Sequence, residues 1–209
     1  MQPTTFYIVR HAQSHGNIKK IISGQIETSL SDEGILQAKS RAQEFKSVHF
    51  DAVFSSDLMR ANQTACIIAK EHALTVAALA VLRERHFGDL EGKRYDELED
   101  TLREQFDAYN AMVYKERFSQ RLVDGMETDE EVMGRFIAFI RETAIAYMGK
   151  TVLIVCHGNI MRTFLVHLGF GTLAELPPKA IENTGYFVLQ SDGVEFEVVK
   201  TVGIEKKQA

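Results

Sequence analysis

An α/β domain on a mostly parallel sheet is the fold class that this sequence predicts. Three observations carry it. Two apolar, β-rich runs, Phe6-Tyr7-Ile8-Val9 and Thr151-Val152-Leu153-Ile154-Val155, have the look of buried strands. Segments of helical periodicity alternate with strand-like runs along the chain. Near the end, residues 185–190 and 194–199 read as a hairpin around Ser191-Asp192-Gly193, which adds an antiparallel element.

Taken in order, the first strand is followed by a helix start at Ser31-Asp32-Glu33-Gly34. Ile35, Ala38, Ala42 and Phe45 form the apolar face of that helix. Asp51 to Phe54 is a second short strand. Ser56 or Asp57 is the expected cap of the next helix, which turns Ala61, Ala65, Ile68 and Ala69 to one side. Thr75 to Leu82 reads as a third strand diluted by alanines. Residues 93–127 mix charges with scattered Leu98, Leu102, Phe106, Met112 and Phe118, the pattern of one or two amphipathic helices inserted beside the core. Thr128 to Met148 is a long helix with Val132, Phe136, Phe139, Ile140 and Tyr147 on its apolar face, ended by Gly149. The second strong strand follows, then a helix from Gly158 to Leu168, and Pro177-Pro178 breaks the chain before the hairpin.

The 209 residues suit one domain, 1–209, carrying the insertion at about 93–127. With 45% hydrophobic residues and three prolines, the chain is neither disordered nor collagen-like. Cys66 and Cys156 are too far apart in sequence for a disulfide framework or a CxxC zinc site. A net charge of −5 speaks against a nucleic-acid or anionic-membrane binder. No basic leader, no apolar leader of signal length and no bilayer-spanning run is visible, so a cytoplasmic protein without a membrane partner is expected. Its oligomeric state is unreadable.

Both strong strands run out into a histidine, as Arg10-His11 and Cys156-His157-Gly158. In an open α/β sheet, ligands bind beyond the carboxyl ends of the strands. If the two strands are neighbours, both imidazoles share one rim. Arginine offers a planar fork matched to phosphate oxygens, and Arg10 and Arg60 are placed to reach that rim. Asn17 lies in a Gly-containing loop able to fold over an anion, and the helix opened by Gly158 offers free N–H groups. Histidine and arginine around phosphate suggest covalent catalysis by imidazole, which then needs an acid for the leaving oxygen. Glu84 can reach the rim, but Glu91, Glu97 and Glu99 are close by, and local sequence does not choose among them.

Arg10-His11-Ala12-Gln13-Ser14-His15-Gly16-Asn17 resembles the Arg-His-Gly signature of the histidine phosphatase superfamily, the phosphoglycerate mutase-like proteins. Ser23-Gly24, the segment through Gln37-Ala38, Ser55 to Ala61, Leu82 to Gly92, Gly125 to Thr128 and Val155 to Gly158 resemble further motifs in family order, over roughly residues 5–165. The resemblance implies a three-layer α/β/α sandwich. It implies that His11 is the phosphorylated nucleophile, that Arg10, Arg60 and His157 bind the phosphoryl oxygens, and that Glu84 is the proton donor. Asn17 is a further contact by the same resemblance, Ser23 and Gly24 line the entrance, and neither metal nor cofactor is implied. Two positions depart from the pattern: Ala12 stands for glycine, where its methyl would crowd the phosphate loop, and Gly16 stands for an aromatic, which would loosen the substrate side.

The expected activity is metal-independent hydrolysis of a small phosphorylated metabolite through phosphohistidine. Residues 95–127 hold only isolated Arg103, Arg117 and Arg121 where the mutase branch adds adjacent arginines, and Gly88-Asp89-Leu90-Glu91-Gly92 looks more like the phosphatase branch. A cofactor-dependent phosphoglycerate mutase and a non-catalytic phosphate-binding regulator are the alternatives. A metal hydrolase finds no HxH or HExxH spacing, and no GxGxxG or P-loop occurs.

Overall fold

A computed structural model describes residues 2–207. Its centre is a six-stranded sheet. The strands are β1 (Thr4–Arg10), β2 (Ala52–Ser56), β3 (Val76–Leu79), β4 (Thr151–Cys156), β5 (Ile181–Ser191) and β6 (Phe196–Ile204), in spatial order β3-β2-β4-β1-β5-β6. The first four in that order are mutually parallel, and β5 and β6 are antiparallel. The helices are α1 (His15–Lys19), α2 (Asp32–Glu44), α3 (Met59–Lys70), α4 (Asp100–Ala111), α5 (Tyr114–Arg117), α6 (Asp129–Ala146) and α7 (Gly158–His167).

The sheet is buried on both faces because its strands carry apolar residues on both sides. One core holds Phe6, Ile8, Ile154 and Leu189 against α6 and α7. The other holds Val9, Val53, Leu153 and Val155 against α2 and α3. These two cores separate three layers, so the expected α/β/α sandwich is present.

Several elements differ from their expected extent. The third strand keeps only Val76–Leu79, and a 3-10 turn takes Ala80–Leu82. The terminal hairpin is longer than its apolar alternation indicates, because β5 pairs with β1 as well as with β6. The short α1 has no apolar periodicity and was not foreseen; a capping box between Ser14 and Asn17 makes it. Ser31 caps α2 as expected, accepting from Gly34 N at 3.0 Å. The cap of α3, by contrast, is Leu58, with no side-chain bond of its own. Ser56 Oγ accepts from Leu58 N, and Glu27 accepts from Met59 N at 2.8 Å. Asp57 turns away to form a two-pronged pair with Arg83, 2.7 Å in each arm.

Candidate active site

β1 and β4 are adjacent, parallel and in register, with Arg10 opposite Cys156. The next residue of each chain segment is therefore a histidine on the same rim. His11 N donates to Cys156 O at 2.9 Å, and the two ring centroids lie 5.2 Å apart. Both imidazoles are buried.

His11 Nδ1 lies 2.7 Å from Ala12 O. A carbonyl oxygen only accepts, so Nδ1 carries the hydrogen and Nε2 keeps its lone pair. Burial, then the charges of Arg60 and Arg10, holds His11 well below its ordinary value of 6.5. The ring is thus neutral at physiological pH, with a free nitrogen on the rim. His157 is held low by burial, then by Arg60 and His11. Neither of its ring nitrogens has a hydrogen-bond partner.

The arginines are fixed through backbone carbonyls rather than carboxylates. Arg60 donates to Gly24 O at 2.7 Å and to Ile26 O at 2.9 Å. Arg10 Nη1 donates to Ile181 O, while its Nε is buried without a partner. Gly158 permits this placement, since a Cβ there would stand 3.1 Å from Arg10 Nε. Burial pushes both guanidinium groups below their ordinary value, and Glu84 opposes the shift.

Glu84 sits across the rim at the start of α7. Its Oε1 accepts from Arg85 N and Ile160 N, at 2.9 and 3.0 Å, and its Oε2 accepts from Asn159 N at 2.9 Å. The helix N-terminus expected to hold the anion is therefore given to Glu84. Arg135 and Gln25 grip the carbonyl of the same residue. The three other nearby glutamates separate cleanly: Glu91 braces Gln25 N and Phe87 N, while Glu97 and Glu99 are exposed.

The remaining expected contacts also fall around the cavity, whose volume is about 620 Å³ and which is lined by Arg10, His11, Asn17, Ser23, Gly24 and Arg60 among others. Asn17 Oδ1 is used by Ser14 N and by Asn183 Nδ2, leaving its own amide hydrogens. Ser23 Oγ is buried and unpartnered. Gly24 serves Arg60 through its carbonyl, and its φ of +46° places it where a Cβ would strike Glu91.

Two expectations about departures from the signature are corrected. The Ala12 methyl does not crowd the rim; it packs in a small core with Leu30 and Ala38. Gly16 does not loosen the entrance, because a Cβ there would meet Ser23 Oγ at 2.4 Å. His15 and His86 are absent from the cavity lining. Cys156 is a buried thiol pushed well up by burial, as befits a packing residue.

Sequence reading missed the second ring of support. Asn183 Nδ2 donates to His11 O at 3.0 Å. Arg85 and Arg117 share the buried carboxylate of Asp129, with Arg85 also reaching Asn159 Oδ1. The only sequence signal was that Arg85 adjoins Glu84 and that Asp129 opens the long helix.

Two buried imidazoles, two guanidinium groups and a carboxylate thus gather at one rim. The model of the histidine phosphatase superfamily (branch 1) matches residues 6–202. The chain belongs to that superfamily. It is 31% identical over 165 residues to a 2,3-bisphosphoglycerate-dependent phosphoglycerate mutase of Cytophaga hutchinsonii, covering 77% of this chain and 75% of that one. It is 30% identical over 167 residues to a metal-independent phosphoserine phosphatase of Arabidopsis thaliana, covering 79% of this chain and 68% of that one. The fold matches a mycobacterial glucosyl-3-phosphoglycerate phosphatase with a TM-score of 0.82 at 22% identity, over 98% of this chain and all of the other. The relatives thus include both phosphatases and mutases. Among the described residues, no helix is long and apolar enough to cross a membrane, and no three His, Cys, Asp or Glu side chains gather to hold a metal ion.

Proposed function

We propose that this protein hydrolyses a small phosphomonoester through a phosphohistidine on His11. The observation that carries the reading is the His11 ring itself: Nδ1 is committed to Ala12 O, and Nε2 is neutral and free on a rim of unpartnered cationic and polar donors.

In the first step His11 Nε2 attacks phosphorus and the ester P–O bond breaks. Glu84 delivers a proton to the departing oxygen, most readily from Oε2, which accepts one backbone bond where Oε1 accepts two. Arg10, Arg60 and His157 hold the three phosphoryl oxygens, over which the transition-state charge spreads. The Nδ1–H bond to Ala12 O steadies the imidazolium formed on phosphorylation. In the second step water attacks phosphorus, Glu84 takes its proton, the P–N bond breaks and neutral His11 returns.

Asn17 and Ser23 add donors at the entrance, and residues 93–127 set specificity as a helical insertion. Their share of the cavity wall supports this, through Tyr95, Phe106, Tyr109, Asn110 and Arg117. The substrate class and the cytoplasmic setting belong to the same proposal.

Phosphate release from an aryl phosphate in excess EDTA, with an acid-labile label that disappears in His11→Ala, is the expected result. Transfer of the label to monophosphoglycerate with little phosphate release would establish the mutase reading instead. Loss of activity in EDTA, restored by a divalent ion, would overturn the mechanism.

A further inference from the structure

Arg135, on α6, is absent from the cavity lining, and every hydrogen of its guanidinium is used. A guanidinium carries five N–H donors in one plane. Nε donates to Glu127 Oε1 at 3.0 Å. Nη1 donates to Val81 O at 2.7 Å and to Arg83 O at 2.8 Å. Nη2 donates to Glu84 O at 3.2 Å and to Glu127 Oε2 at 3.0 Å. Three of these five bonds end on the segment that carries Glu84, and the other two end on Glu127. Arg10 keeps a buried N–H free for the rim, whereas Arg135 keeps none and so acts as a fixture.

Glu127 turns back on the same segment. Its Oε2 also accepts from His86 N at 2.8 Å, and its own N donates to His86 O at 2.9 Å. Phe87 and Met126 pair as an antiparallel bridge beside it. The segment needs such an anchor. β3 ends at Leu79 and the 3-10 turn at Leu82, so Arg83 and Glu84 belong to no strand or helix. Their carbonyls have no ladder to join, and a buried carbonyl without a donor is costly. Arg135 supplies the donors, and Glu127 offsets its charge. Gln25 also donates to Glu84 O, at 3.1 Å, but through a single bond.

The amides of Arg85, Asn159 and Ile160 fix where the Glu84 side chain ends. Where it begins is fixed by the backbone that Arg135 holds. We propose that the Glu127–Arg135 pair is the positioning device of the proton donor. It locks the backbone of residues 81–86 so that the Glu84 carboxylate seats on α7 facing the leaving oxygen. Neither side chain touches substrate; both act through Glu84. An acid displaced by ~1 Å loses up to about 10² in rate, so the seat matters even when the carboxylate is still present. The proposal rests on the hydrolase reading for the role of Glu84, but the seat itself is measured apart from turnover.

Two full-length variants test it. Arg135→Lys keeps the charge, but an ammonium cannot serve three carbonyls and a carboxylate at once. Glu127→Gln keeps the shape and loses the charge and one acceptor. In both, kcat for phenyl phosphate should fall about tenfold to a hundredfold. For p-nitrophenyl phosphate, whose leaving group needs little proton assistance, the fall should be about threefold or less. KM should stay within about twofold, since no contact with substrate is lost. Added to Glu84→Gln, either substitution should cost about twofold or less further, because the group it positions is gone. Amide hydrogen exchange reads the seat directly. Asn159 N and Ile160 N should exchange about tenfold faster or more than in the wild-type protein, while His11 N, bonded to Cys156 O, keeps its protection. Equal losses for the two esters, losses that multiply with Glu84→Gln, or unchanged exchange at both amides would overturn the positioning role. Glu127→Gln carries the test if the lysine variant does not fold. Absence of phosphate release by the wild-type protein sinks the hydrolase reading, and exchange then decides the seat alone.

Discussion

The two ends of the cavity handle buried positive charge in opposite ways. At the rim of β1 and β4, Arg10 and Arg60 are anchored by the carbonyls of Ile181, Gly24 and Ile26, and His157 by nothing. A carbonyl fixes a guanidinium without neutralising it, so the rim keeps its charge for a ligand. Beneath α4 and α5, Arg85 and Arg117 are tied to Asp129, and Tyr109, Asn159 and Thr163 bond the Arg85 guanidinium as well. That end is a buried ionic joint holding α5 to α6 and, through Asn159, steadying the platform of Glu84. Arginine burial alone therefore does not mark a binding site; the identity of the acceptor does.

The strongest way to break this contrast is to remove the nucleophile. His11→Ala should lower kcat by about 10⁴-fold or more, since catalytic groups that act as a unit fail together. Circular dichroism and melting should show the fold intact. Residual turnover above that bound would take the rim out of the reaction.

Next comes the joint. Asp129→Asn leaves two buried guanidinium groups facing one neutral amide and should cost about 3–5 kcal/mol in a denaturant titration. Asp57→Asn removes the partner of Arg83 from a half-buried pair in contact with solvent and should cost about 1 kcal/mol or less. Similar losses for the two variants would show that the end beneath α4 and α5 is not a sealed joint.

Glu84→Gln links the two ends, because its carboxylate is held by α7 and by Arg85. The loss in kcat should be about 10²–10³-fold for alkyl esters. It should be distinctly smaller for p-nitrophenyl phosphate, whose leaving group needs little proton assistance. Equal losses for both would exclude the proton-donor role.

How far the sequence revealed this arrangement follows the same division. The rim was legible because two apolar strands each end in a histidine, and adjacency in the sheet does the rest. The sheet and the helices α2, α3, α6 and α7 were legible through periodicity. Glu84 could not be separated from Glu91, Glu97 and Glu99 by local pattern, since its selection depends on backbone donors of α7, some 75 residues away. The free helix N-terminus was misread for the same reason. The joint among Arg85, Arg117 and Asp129 was invisible, because a buried charge and a surface charge look alike until packing is known. Ala12 was expected to crowd the phosphate because nothing local says that its methyl points into the layer beneath.

A further effect separates the ends by pH. The folded protein holds His11 and His157 well below 6.5, the ordinary value they regain on unfolding. Between those limits the unfolded chain binds more protons, so stability rises with pH. It is fully present above about 6.5 and is lost as pH falls below that value. Each such histidine should cost about 1.4 kcal/mol at pH 5.5 relative to pH 7.5, the free energy of protonating a free imidazole one unit below its pKa. His157→Gln should therefore lose about 1.4 kcal/mol less than the wild-type protein over that interval, whatever its stability at pH 7.5. His72 and His167, also held low mainly by burial, are common to both proteins and cancel in the difference. Denaturant titrations at the two pH values measure it. A parallel loss in variant and wild type would mean that His157 is protonated in the folded rim, and that the cationic rim tolerates one more charge than its unpartnered geometry allows.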